Sequence, residues 1–129
     1  MATRMEPIDI LAKSLQGSKQ DPNRVHTAMA NLVKKDPNFR IMRANNSLFS
    51  YYNLGNGNVD VALDTADNPR DLVKSIKEFV QAMKVAGFKR GRFSMQNPQM
   101  EKILKMMGLQ YKLQPTPSGQ MMAVVEVGA

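Results

Sequence analysis

Asp60 and Asp64 stand four residues apart in an alternating run, Val59-Asp60-Val61-Ala62-Leu63-Asp64. A period of two puts both carboxylates on one face of a strand. Carboxylates so placed can raise one another's pKa, and a raised carboxylate can serve as a general base. The same pattern also describes the wet face of an edge strand, and both readings stand. A proton donor would have to be a tyrosine. Tyr111 sits on a later strand candidate and Tyr51 and Tyr52 on a hairpin, although buried tyrosines also serve as packing residues with bonded hydroxyls. His26 is the only histidine, and it reads as a helix-surface or interface residue. A lone histidine builds no zinc site, no carboxylate cluster with ligand spacing accompanies it, and no metal is expected. The absence of cysteine removes disulfides, thiolate ligands and cysteine nucleophiles, and fits a reducing compartment.

The formal charge is +7, and residues 71–110 supply +5 of it, with eight Lys/Arg against three acids. Lys74, Lys77, Lys84, Lys89, Arg90 and Arg92 are the candidate anion or nucleic-acid patch. The alternative is a solvated helix face, which every amphipathic helix needs. No aromatic-rich strand surface for stacking bases accompanies the basic residues. Eleven methionines suggest filling of irregular core gaps. No apolar run reaches about 18 residues, so no membrane span is expected. Glu6 and Asp9 near the start, without a long apolar block, argue against a secretory leader.

The elements that must position these residues are well punctuated. One domain is expected over 1–129, with 1–6 loose. Ile8, Leu11, Ala12 and Leu15 fall at helical spacing, ended by Gly17-Ser18. Asp21-Pro22 starts a second helix with Val25, Ala28, Met29, Leu32 and Val33 as its apolar stripe, stopped by Asp36-Pro37. Strands follow at 39–44 and 48–54, joined by Asn45-Asn46, whose residues can take positive φ. Gly55-Asn56-Gly57-Asn58 is a turn into the alternating strand at 59–64. Asn68-Pro69 opens the best helix, with Asp71 in its first turn and Leu72, Val73, Ile76, Phe79, Val80 and Met83 on one stripe. Gly87 ends it. A strand at 88–95, a helix at 98–107 and strands at 109–114 and 120–127 complete the order α-α-β-β-β-α-β-α-β-β. A hairpin meander followed by a β-α-β crossover predicts an α/β (α+β) fold, with a mixed, mostly antiparallel sheet and helices on both faces.

The segment Asn97-Pro98-Gln99-Met100-Glu101-Lys102-Ile103-Leu104-Lys105-Met106-Met107-Gly108-Leu109 is punctuated at both ends. Asn97 suits an N-cap, Pro98 the first helical position and Gly108 the left-handed residue past the end. Its spacing resembles the last helix of the GNAT acyltransferase family, carried by Asn97, Met100, Ile103, Leu104, Gly108 and Leu109. The element order resembles that fold from about residue 8 onward, without the family's first strand. Small degenerate phage proteins of this fold, including an internal virion protein of short-tailed coliphages, are similar in their degenerate central loop, long basic helix and terminal helix followed by a hairpin.

The resemblance implies acetyl-CoA or CoA as cofactor if the family's site is retained. Its pyrophosphate would lie at Asp64-Thr65-Ala66-Asp67-Asn68-Pro69-Arg70-Asp71, where the family has an Arg/Gln-x-x-Gly-x-Gly/Ala loop. This stretch has no glycine, and Pro69 removes one N–H. Three aspartates would repel a diphosphate, with Arg70 the nearby cation to compensate. Arg70, Asn68 and Asn97 are the cofactor-binding candidates. Asn97 would reach the pantetheine arm, or would simply cap its helix. The family's tyrosine acid falls on Leu104, which carries no proton. Asp60, Asp64 and Tyr111 remain the catalytic candidates. The resemblance favours a non-catalytic protein acting through protein contacts, virion-associated or accessory, in a virion or host cytoplasm if phage-derived and otherwise cytoplasmic. An active N-acetyltransferase and a basic nucleic-acid-binding module are the alternatives.

Overall fold

The computed structural model describes residues 5–94 and 98–127. The elements are α1 (Pro7–Ser14), α2 (Pro22–Lys35), β1 (Phe39–Ala44), β2 (Ser47–Gly55), β3 (Asn58–Thr65), α3 (Pro69–Val85), β4 (Arg90–Ser94), α4 (Pro98–Met106), β5 (Tyr111–Pro115) and β6 (Met121–Glu126). Their order is the one the sequence predicts. The six strands form one sheet in the order β1-β2-β3-β4-β6-β5. Only β3 and β4 are parallel, joined by the α3 crossover; the other four pairs are antiparallel.

The caps explain the boundaries. The Asp21 carboxylate accepts from the Asn23 N–H, and Asn68 Oδ1 accepts from the Asp71 N–H. At the end of α3, the Phe88 N–H donates to the Met83 carbonyl and the Gly87 N–H to that of Lys84, with Gly87 at φ 92°. The end of α4 repeats this, with Leu109 donating to Leu104, Gly108 to Lys105, and Gly108 at φ 68°. These two doubled closures satisfy the last carbonyls of each helix. The first delays β4 to Arg90, because Phe88 still belongs to the helix end. The predicted strand at 88–95 is thus shorter at its start, and Met95 lies outside the described residues. At the β1–β2 turn only Asn45 takes a positive φ, 51°; Asn46 instead uses its side chain and N–H in a network described below.

Alternation along the strands divides the core in two. The larger cluster joins Phe49, Val59, Val61, Phe93, Ala123 and Val125 of the sheet to Leu72, Ile76, Phe79 and Met83 of α3 and Ile103 and Leu104 of α4. Phe79 is its centre: its ring stacks on Phe49 at 4.3 Å and 7°, and meets Tyr51 and Phe93 edge-on. The opposite face carries a smaller cluster of Ile10, Leu11, Leu48 and Ala66, with Val25, Met29 and Ile41 against it. The methionines divide. Met83 is fully buried, Met29, Met42 and Met107 pack at the margins, and Met106 and Met121 are exposed. Core filling therefore accounts for only part of the methionine content.

Candidate functional site

The crossover from β3 into α3 passes through a short loop, residues 66–68. Asp67 is the pivot of that loop. Its carboxylate accepts from the Asn46 N–H at 3.0 Å, the Ser47 hydroxyl at 2.6 Å and the Ser75 hydroxyl at 2.8 Å. Its own N–H donates to Thr65 Oγ1 at 3.0 Å, and the Thr65 and Ser47 hydroxyls lie 2.7 Å apart. Asn45 Nδ2 donates to Ser75 Oγ at 2.9 Å. Ser47 and Ser75 are fully buried. The β1–β2 turn, the end of β3 and the first turns of α3 are thereby locked together by side chains.

This network decides what the start of α3 can hold. Pro69 has no N–H, the Asp71 N–H is taken by Asn68 Oδ1 at 2.9 Å, and Asn68 Nδ2 reaches the Asp71 carboxylate at 3.1 Å. The Leu72 N–H closes the first helical bond to the Asn68 carbonyl. Of the first three helical residues, Arg70 alone keeps an N–H without a partner among the described residues, and its side chain is exposed. An incoming diphosphate would meet one N–H, one guanidinium and the charges of Asp67 and Asp71. The loop thus offers a diphosphate few donors and two repelling carboxylates.

The neighbouring gap is different. Among the described residues, the β3–β4 ladder runs from Asn58/Arg90 to Val61/Phe93, while β3 continues to Thr65 paired with β2. Past the last of these pairs, Ala62 and Ser94 line an opening. On the sheet face away from the larger core, the opening joins a groove of about 360 Å³, whose polar lining includes Ser50, Tyr52, Asp60, Arg92, Ser94 and Thr116. Met121, Met122 and Phe39 add apolar wall. Arg92 sits 3.9 Å from Asp60, and its Nε lies 3.2 Å from the Met122 sulfur.

The sequence candidates scatter over these regions. Asp60 lies in the groove beside Arg92. Asp64 lies under α1, where Ser14 Oγ donates to it at 3.0 Å. Desolvation by burial holds the Asp64 carboxyl above its ordinary value, partly opposed by the Ser14 bond. The Asp60 charge is thus not among the causes that act on Asp64. Tyr111 donates to Glu101 at 3.2 Å on the α4 side of the sheet. Desolvation first, then the Glu101 charge and bond, push its phenol up, with Lys105 opposing. Tyr51 packs on Phe79 and Phe88, whereas Tyr52 lines the groove. Leu104 is 1% exposed, a core residue. Asn97 lies outside the described residues. His26 is exposed on α2.

The basic candidates do not form one surface. Lys74, Lys77 and Lys84 lie on the solvent side of α3. Arg90 and Arg92 lie on the opposite face of the sheet, where Arg90 donates to Glu126 at 2.8 Å. Lys89 packs its methylenes over Gly57, where a Cβ would come within 3.1 Å of Lys89 Cγ and the φ of 80° disfavours any side chain. Among the described residues, no group of three or more His, Cys, Asp or Glu could hold a metal, and no helix is long and apolar enough to cross a membrane.

Sequence reasoning missed Asp67, Ser47 and Ser75. Their one visible signal is a pair of serines at positions otherwise patterned for the core.

No family model matches the chain, and no curated protein matches it. Solved structures do. An acetyltransferase from Thermus thermophilus superimposes with a TM-score of 0.65 at 14% identity, over 92% of this chain and 86% of that one. An N-acetyltransferase from Staphylococcus aureus gives 0.65 at 9%, over 98% and 95%. A structure from Salmonella typhimurium, of an acetyltransferase-class protein with its cofactor acetyl-CoA, gives 0.58 at 10%, over 95% and 90%. Identities this low speak for the fold alone. With the mixed six-stranded sheet, the single parallel pair and the α3 crossover, they establish that this chain has the GNAT acetyltransferase fold.

Proposed function

We propose that this chain is a GNAT-fold protein with a degenerate acyl-CoA site, that it is non-catalytic, and that it acts through contacts with other proteins. A phage-type virion-associated or accessory role is the concrete form of this reading, and its support is the resemblance of the central loop and terminal helix. The observation that carries the non-catalytic reading is the start of α3, where Pro69 has no N–H, Asn68 takes the Asp71 N–H, and the carboxylates of Asp67 and Asp71 stand beside the one N–H left. Leu104, buried in the core at the family's acid position, agrees with it.

The second reading is an acetyl-CoA-dependent N-acetyltransferase. Its support is the groove beside the β3–β4 pair, which holds Asp60 and Tyr52. In that reading Arg70 and the start of α3 hold the cofactor's phosphates. Isothermal titration with acetyl-CoA separates the two. The first predicts no heat at millimolar ligand, and micromolar binding would overturn it in favour of the enzyme. A nucleic-acid-binding role draws less support, because the cations divide between two faces.

A further inference from the structure

The edge formed by α2 and β1 is unfinished. β1 is the outermost strand on its side, and among the described residues no strand pairs with its outer edge. The bond from the Asn53 N–H to the Asn38 carbonyl fixes the alternation along β1. With Arg40 opposite Tyr51 and Met42 opposite Phe49, the main-chain groups of Arg40 and Met42 bond inward to β2. Those of Ile41 and Arg43 therefore point away from the sheet. Such outward N–H and C=O groups are a template for another strand.

α2 overhangs this edge. Its principal neighbours are α1 and β1, so it sits over the rim of the sheet and not over its middle. Val25 and Met29 pack beside Ile41, but Leu32 is 45% and Val33 38% exposed. The second half of the apolar stripe has no strand beneath it. The charge of the region selects what could fill the space. Residues 22–44 hold Arg24, Lys34, Lys35, Arg40 and Arg43 against Asp36 alone, a balance of +4. A second copy paired edge to edge would set this charge against itself and align the arginines of two β1 strands. An acidic strand would be complementary.

We propose that this edge is a docking site for an extended acidic segment of another protein. The segment adds to the sheet beside β1 and places its apolar side chains under Leu32 and Val33. The site rests on the reading of the chain as a protein-contact module and names the chemistry of its partner.

The test is selection of a randomised octapeptide library on the full chain, in parallel with the Leu32→Glu, Val33→Glu double variant. Both positions are exposed, so the variant keeps its fold, which an unchanged Tm verifies. Enrichment of octamers that alternate apolar residues with Asp or Glu is expected. A synthetic octamer from the selection should bind the variant at least about ten-fold more weakly. It should shift the amide resonances of Ile41 and Arg43 more than those of Arg40 and Met42. No enrichment, enrichment of basic octamers, or equal binding to the double variant would each overturn the proposal. So would a dimer of the chain in sedimentation that the double variant abolishes, since the occupant would then be a second copy. Acetyl-CoA binding, which would sink the protein-contact reading, is measured separately and leaves the peptide result intact.

Discussion

The two ends of the β3–β4 region differ in how their polar groups are used. At the start of α3, Asp67, Ser47, Ser75, Asn45 and Asn46 answer one another, and the loop is closed on itself. In the groove alongside, Tyr52, Asp60, Arg92 and Ser94 line open space, with one loose ion pair at 3.9 Å between them. The difference is that one set is spent on the fold and the other is available to something else.

The sharpest way to break this contrast is a pair of alanine substitutions. Asp67→Ala strands the Asn46 N–H and leaves the buried Ser47 and Ser75 hydroxyls only Thr65 Oγ1 and the Ala44 and Asp71 carbonyls as acceptors, and should cost about 2 kcal/mol in urea unfolding. Asp60→Ala removes an exposed carboxylate and should change stability by less than about 0.5 kcal/mol. Equal costs would erase the distinction between a locked loop and an open groove. Asn68→Ala tests the cap within the locked region. It leaves the Asp71 N–H without its acceptor and should lower stability by about 1 kcal/mol.

The smallest effect concerns Asp64, at the boundary between the two regions. Burial raises its folded pKa above the ordinary 3.8. The folded chain therefore holds this proton more tightly than the unfolded chain does. Stability from this group is complete below the ordinary aspartate range and is lost as pH rises through the raised folded value. Asp64→Asn does not titrate, so its urea midpoint relative to the natural chain should climb as pH rises through the ordinary aspartate range and on through the raised folded value. A flat difference would mean that α1 leaves this carboxylate wet.

The order of elements was legible because its punctuation is local. Asp21-Pro22, Asn68-Pro69, Gly87 and Gly108 each act within a turn of themselves, and the structure uses every one as a cap or closure. The locked loop was not legible, because its bonds join residues far apart. Ser47 lies 20 residues from Asp67, and Ser14 lies 50 from Asp64. The Asp60–Arg92 contact depends on the register of a parallel pair joined through a helix, which no local pattern encodes. α2 shows a third limit. Its stripe of Val25, Met29, Leu32 and Val33 is a sound helical pattern, but periodicity cannot say whether a helix sits over the middle of a sheet or over its rim.

The strand order has a consequence for cooperativity. β1, β2 and β3 come from residues 39–65, and β4, β5 and β6 from residues 90–126. The first half is a meander of chain neighbours, closed at little cost, whereas in the second β4 pairs with β6 across α4 and β5. The halves meet in a ladder of four register pairs, backed by α3. Among the described strands, that seam is the one parallel pairing, and its two strands are joined through α3. It is the natural boundary between two cooperative units, the first place the sheet should part short of global unfolding. The groove begins where the seam ends, so transient parting would widen the groove before it disturbed either half.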